Sequence, residues 1–165
     1  NYPQRNMEKV IDKISIYNLL NYLLPGVLFV VLAKSFLFID LTQGDIVLDV
    51  FVYYFVGLVI SRFGSLVIET LLKKIRFLKF AKHEDFIAVS KNDPKLEVLS
   101  QENNVYRTFI SMFVLLLLSK LYFHIRIIYP HLQNWDFYVL ISLLLIMFLY
   151  SYRKQTMYIF NRIKN

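Results

Sequence analysis

The sequence predicts an all-α polytopic membrane protein with four transmembrane helices and a cytoplasmic helical hairpin between the second and the third. Three observations carry that expectation. Of the 165 residues 57% are hydrophobic, and a mean hydropathy of +0.48 is more apolar than a water-soluble domain of this size can hide. The apolar residues gather into runs near the roughly 20 residues a helix needs to cross a hydrocarbon core, without the alternation of barrel strands. Lysine and arginine fall almost entirely on one side of those runs. Residues 1–165 therefore read as a single membrane domain.

The first apolar run, residues 14–41, is divided by Pro25-Gly26. Proline lacks an N–H and clashes with the carbonyl four residues back, here that of Asn21, so a kink is expected. Upstream of it Ile16, Leu19, Leu20, Leu23 and Leu24 share one helical face while Ser15, Asn18 and Asn21 lie off it. Two arrangements fit. Either one kinked or broken helix crosses from about Ile14, or residues 14–24 lie in the interface and the crossing starts near Pro25; the kinked helix is preferred. The second span, 46–68, is interrupted only by Asp49 and Arg62. The third, 106–122, contains the uncharged run Phe109 to Leu118, with Lys120 near enough to its end to snorkel outward. The fourth, 135–152, has Trp135 and Tyr152 at opposite ends, as interfacial anchoring expects.

With these spans, 15 of the 19 Lys and Arg residues lie on one side: Arg5, Lys9 and Lys13 before the first span, eight from Lys73 to Arg107, and Arg153, Lys154, Arg162 and Lys164 at the end. Lys34, Lys120 and Arg126 lie opposite, and Arg62 is inside a span. Positive charge stays on the cytoplasmic face, which places both termini there and leaves a multi-pass protein of a bacterial-type inner membrane. The formal charge of +7 is thereby explained by orientation, and no nucleic-acid partner is expected. The stretch Asn1 to Lys13 is mixed in charge and no small-x-small site follows it, so no cleavable signal is expected.

Arg62 is the sharpest local feature. It lies about ten residues, or roughly 15 Å, from the cytoplasmic end of its helix, and ionisable groups at such depth usually face protein or water. It is either a pore-lining or ion-pairing residue, or one that snorkels or makes a purely structural pair with an Asn of the first span or with another subunit. Glu69 stands seven residues on, but helical side chains lean toward the N-terminus, which turns Arg62 away from it. Gly57, Ser61 and Ser65 recur every four positions beside Gly64, a stripe that lets helices approach closely. Asn18, Asn21, Pro25 and Gly26 form a second unusual group, because a proline kink frees a backbone acceptor beside two amides.

Lys73, Lys74, Arg76, Lys79 and Lys82 follow the second span directly and are expected against anionic lipid headgroups. Asn92-Asp93-Pro94 reads as a helix start. Leu96, Val98 and Leu99 then give an apolar face to a helix that continues toward the third span, so the 73–105 loop forms the hairpin and offers a surface to a cytosolic protein partner. There is no cysteine. The histidines are His83, His124 and His131, and none has an acidic companion at metal-ligand spacing. No serine in the spans has a His or Lys companion at a spacing that would make it a nucleophile. Neither an enzyme, a metal nor a cofactor is expected.

The segments Ile14 to Phe29, ISIYNLLNYLLPGVLF, and Asp93 to Arg107, DPKLEVLSQENNVYR, resemble small, uncharacterised bacterial four-span membrane proteins encoded beside anti-phage defence genes. The resemblance implies a membrane effector or sensor working with a cytosolic partner, and carries over no catalytic residue. Three functions are open at this point: a homo-oligomeric, pore-forming effector or sensor; a scaffold recruiting a cytosolic partner through residues 73–105; and a small solute or ion transporter.

Overall fold

The computed structural model describes residues 16–79, 89 and 93–164. Four helices in it are long and apolar enough to cross a membrane. They are α1 (Ile16–Leu37), α2 (Ile46–Lys74), α3 (Pro94–Ile128) and α4 (Asp136–Lys164), the last entered through a 3₁₀ turn, Pro130–Trp135. Successive helices run antiparallel. One end of the bundle therefore gathers the start of α1, the end of α2, the start of α3 and the end of α4, and is called the basic end below.

The proline of α1 produces neither a break nor a separate interfacial segment. Residues 16–37 form one continuous helix in which Leu19–Leu23 widen into a π turn, with the Leu24 N–H bonded to the Leu19 carbonyl. Slipping the bonds by one residue relieves the clash that Pro25 would impose on a regular turn. The helix stops at Leu37, short of the apolar run's end at Leu41, because Phe38 turns left-handed (φ 57°). The Phe38 N–H bonds the Ala33 carbonyl, and Lys34 then pairs with Asp40 at 2.7 Å across the turn.

Asp45 caps α2, its carboxylate accepting from Val47 N (2.8 Å) and Leu48 N (3.1 Å). A second π turn, Gly64–Ile68, interrupts α2 without ending it. The helix closes where Arg76 adopts φ 59° and bonds run from Phe77 N to the Leu72 carbonyl and from Arg76 N to the Lys73 carbonyl, the double bond pattern of a Schellman turn.

Asp93 caps α3 through Lys95 N at 2.9 Å, so the helix starts at Pro94 and runs without interruption into the apolar third span. Both α3 and α4 are longer than their apolar runs. Hydropathy marks the hydrocarbon crossing, whereas backbone hydrogen bonding carries a helix on into polar sequence. The rest of the expected hairpin, including Lys82 and His83, lies outside the described residues.

α1, α2 and α3 form the packed core, with Val30, Ala33, Ile60 and Met112 buried between them. α4 packs on α2 through a stacked Phe55–Phe148 pair and a contact at the second π turn. At the end opposite the basic one, Arg126 reaches Asp136 at 2.9 Å and the Tyr122 hydroxyl donates to the same carboxylate. Lys120 there donates to the Phe36 carbonyl at 3.1 Å, a cation on the C-terminus of α1.

Candidate functional site

Three glycines set the distance between the core helices. A Cβ on Gly26 would overlap the Tyr53 carbonyl of α2, and one on Gly57 would overlap the Tyr22 carbonyl of α1. The two backbones are in contact there. Gly64 similarly leaves room for the Ser111 hydroxyl of α3, which donates to the Arg107 carbonyl at 2.6 Å.

This close approach brings three polar side chains together in an otherwise apolar interior. Asn21 of α1 donates from Nδ2 to Ser61 Oγ of α2 at 3.3 Å. Thr108 Oγ1 of α3 lies 2.8 Å from Asn21 Oδ1, 3.3 Å from Ser61 Oγ and 2.9 Å from the Asn104 carbonyl. All three are buried. A buried amide or hydroxyl without a partner is costly in a membrane, so the trio fixes the rotation of each core helix about its axis.

About 12 Å further along α2, at eight residues' rise, a charged cluster occupies the basic end. Glu69 accepts from Arg107 at 2.6 Å and from Lys73 at 2.7 Å. Lys154 of α4 donates to the Ser65 carbonyl at 2.9 Å and to Ser65 Oγ at 2.8 Å. The widened turn exposes backbone acceptors to such a donor. A serine beside a lysine is also the pairing of a nucleophilic dyad, but that chemistry needs a neutral amine accepting the hydroxyl proton. Lys154 is shared between the Ser65 carbonyl and hydroxyl and so ties α4 to α2.

The small-residue stripe is thus consumed inside one chain: Gly57 faces α1, Ser61 faces α1 and α3, Gly64 faces α3 and Ser65 faces α4. Asn21, Pro25 and Gly26 lie buried in the same seam, while Asn18 is half-buried and makes no capping bond to the π turn that follows it. Arg62 is half-buried, and no hydrogen bond or ion pair joins it to the described residues: both amides of α1 point elsewhere and Glu69 is held by Arg107 and Lys73. Lys74, Arg76 and Lys79 are exposed around the end of α2. Among the described residues no group of three or more His, Asp and Glu side chains is placed to hold a metal ion.

Thr108, Arg107 and Lys154 are the participants that sequence reasoning missed. Thr108 and Ser111 did carry a signal, two hydroxyls three residues apart on one face of an apolar helix. Arg107 and Lys154 carried none, since both read as the ends of basic segments.

A four-helix, all-α chain of multi-pass membrane type, with a polar seam between its first three helices, is the class that this fold and site define. Compared with known protein families, with curated proteins and with solved structures, the chain matches none.

Proposed function

We propose that this chain is a non-enzymatic, homo-oligomeric effector or sensor of a bacterial inner membrane, and that any conducting path it forms runs between copies. The observation that carries the reading is the closed polar seam. Asn21, Ser61 and Thr108 bond to one another, where a transporter using its own bundle would turn such groups toward a solute. Arg62 stands apart, deep in α2 and without a partner among the described residues. A deep guanidinium needs a counter-charge or water, and a second copy supplies either. The most apolar stretch of α4 has 0% of its residues buried, which leaves surface for such a copy. Cytoplasmic placement of both termini rests on the distribution of Lys and Arg. A role in defence or stress rests on the resemblance of residues 14–29 and 93–107.

The test combines the mass of the assembly in mild detergents and nanodiscs with bilayer conductance of wild type and Arg62→Leu. Several chains per particle are expected, with the variant keeping its abundance and thermal stability while conductance is lost or altered. A monomer in every mild condition, or unchanged activity in the variant, overturns the reading. A second reading, a scaffold for a cytosolic partner, is favoured by the start of α3, where Val98 and Leu99 are exposed (44% and 58%) ahead of the apolar section. A purified complex without conductance would select it.

A further inference from the structure

Beside the point where Lys154 holds the end of α4 to α2, the two helices leave an open groove at the basic end. Its volume is about 340 Å³. Leu66, Tyr150 and Met157 form its apolar wall, and Arg153, Lys154 and Asn161 give it a polar rim. Positions 150, 153, 154, 157 and 161 share one face of α4 by helical spacing. Going along that face from the apolar section, Tyr150 comes first, then the two cations, then Met157 and Asn161. The groove thus passes from an apolar side chain to positive charge in the order in which a phospholipid presents acyl chain and phosphate.

We infer that this groove is a site for one anionic phospholipid, with its phosphate at Arg153 and Lys154 and an acyl chain against Leu66 and Tyr150. Charge complementarity and position identify the occupant. Lys154 donates twice to Ser65 and lies over the Tyr158 ring, which holds its charge at the rim of the groove. Arg153 is exposed and its planar fork suits two phosphate oxygens at once. Glu69, the nearby carboxylate among the described residues, is hydrogen-bonded by Arg107 and Lys73, so with Arg153 and Lys154 the cations there outnumber it and the rim stays positive. Basic pockets between spanning helices characteristically take such headgroups. The site is separate from the Lys74, Arg76 and Lys79 surface, where attraction to the membrane needs no groove.

Native mass spectrometry of the full chain, released from mixed phosphatidylglycerol and phosphatidylcholine vesicles with matched acyl chains, tests the assignment. One phosphatidylglycerol per chain should be retained preferentially. Arg153→Gln should weaken that retention about fivefold, the effect of removing one basic contact near a membrane. Arg153→Lys should keep most of it, and Lys95→Gln, an exposed cation at the start of α3, should leave it unchanged. An excess of soluble glycerol 3-phosphate should not displace the lipid. Equal retention of both lipids, equal loss in Lys95→Gln and Arg153→Gln, or displacement by glycerol 3-phosphate would overturn the site. Arg153 makes no hydrogen bond or ion pair among the described residues, so unchanged thermal unfolding of the variant shows that lipid contact, and not folding, has been probed.

Discussion

Helices α1 and α2 meet backbone against backbone, with glycines at the contact, and α3 joins them through buried neutral polar groups, whereas α4 is held to α2 by an aromatic stack and a lysine. Neither arrangement draws on a hydrophobic driving force, because lipid tails are as apolar as the side chains they would replace. The difference lies in what replaces it. In the core, short interaxial distance and mutual polar satisfaction fix a single register. At α4, a flexible charged side chain reaches over to a backbone carbonyl and tolerates looser packing. The core is therefore built to hold one arrangement, and α4 to be displaced at lower cost.

The largest effect should come from removing the close approach. Gly57→Leu sets a side chain against the Tyr22 carbonyl, and backbone cannot yield as a side chain can. A loss of about 3 kcal/mol, at the upper end of ordinary overpacking, is expected in thermal or denaturant unfolding in detergent, and Gly26→Leu should match it. If either variant unfolds like wild type, the two backbones are not in contact and the contrast with α4 fails.

Second in size is the polar seam. Asn21→Ala leaves Ser61 and Thr108 short of a partner and should cost about 1–2 kcal/mol, in the range of interhelical hydrogen bonds in membranes. Thr108→Val should cost a similar amount. The double variant should fall short of their sum, because both remove the same bond. Full additivity in the unfolding free energies would show that the two side chains do not interact.

The looser attachment predicts a smaller and more local change. Lys154→Met should lower overall stability by only about 1 kcal/mol, the net worth of an ordinary hydrogen bond, while freeing the end of α4. The chain has no cysteine of its own, so disulfide trapping between Phe55→Cys and Phe148→Cys reports docking of α4 directly. Trapping should slow when Lys154→Met is added. A fall in stability as large as that of Gly57→Leu would instead make α4 part of the core.

Much of this contrast was legible in the sequence, and the missing part has one physical cause. Apolar runs gave four crossings, Asp93-Pro94 gave the start of α3, and the small residues from Gly57 to Ser65 gave a packing face. Which helix each of those residues meets was not legible. Gly57, Ser61, Gly64 and Ser65 face three different neighbours, and that choice depends on how each helix is rotated about its axis, which hydropathy does not encode. Pro25 announced a distortion but not its form, since a kink and a π turn relieve the same clash. The π turn at Gly64–Ile68 has no proline, and its nearest correlate, Lys154 on the Ser65 carbonyl, is 89 residues away in sequence.

The smallest predicted effect lies outside the spans, in the turn between α1 and α2. Asp40 accepts from Lys34 at 2.7 Å and from the backbone and hydroxyl of Thr42 at 3.0 and 2.6 Å. The hydrogen bond from Lys34, then those from Thr42, hold its carboxyl well below the usual carboxylate range. A carboxylate whose folded pKa is depressed contributes stability that is fully present above its unfolded value, about 3.9, and is lost as pH falls through the folded value. Wild type and Asp40→Asn should therefore differ by a constant, small amount across neutral pH and converge only in strong acid. Because the pair is exposed, solvent and salt screen it, so the difference should also shrink as ionic strength rises. Unfolding midpoints of the two proteins over a pH series at low and high salt would check both trends. A difference that grew on acidification would mean that Asp40 is stabilised in its protonated form and that the Lys34 pair does not order this turn.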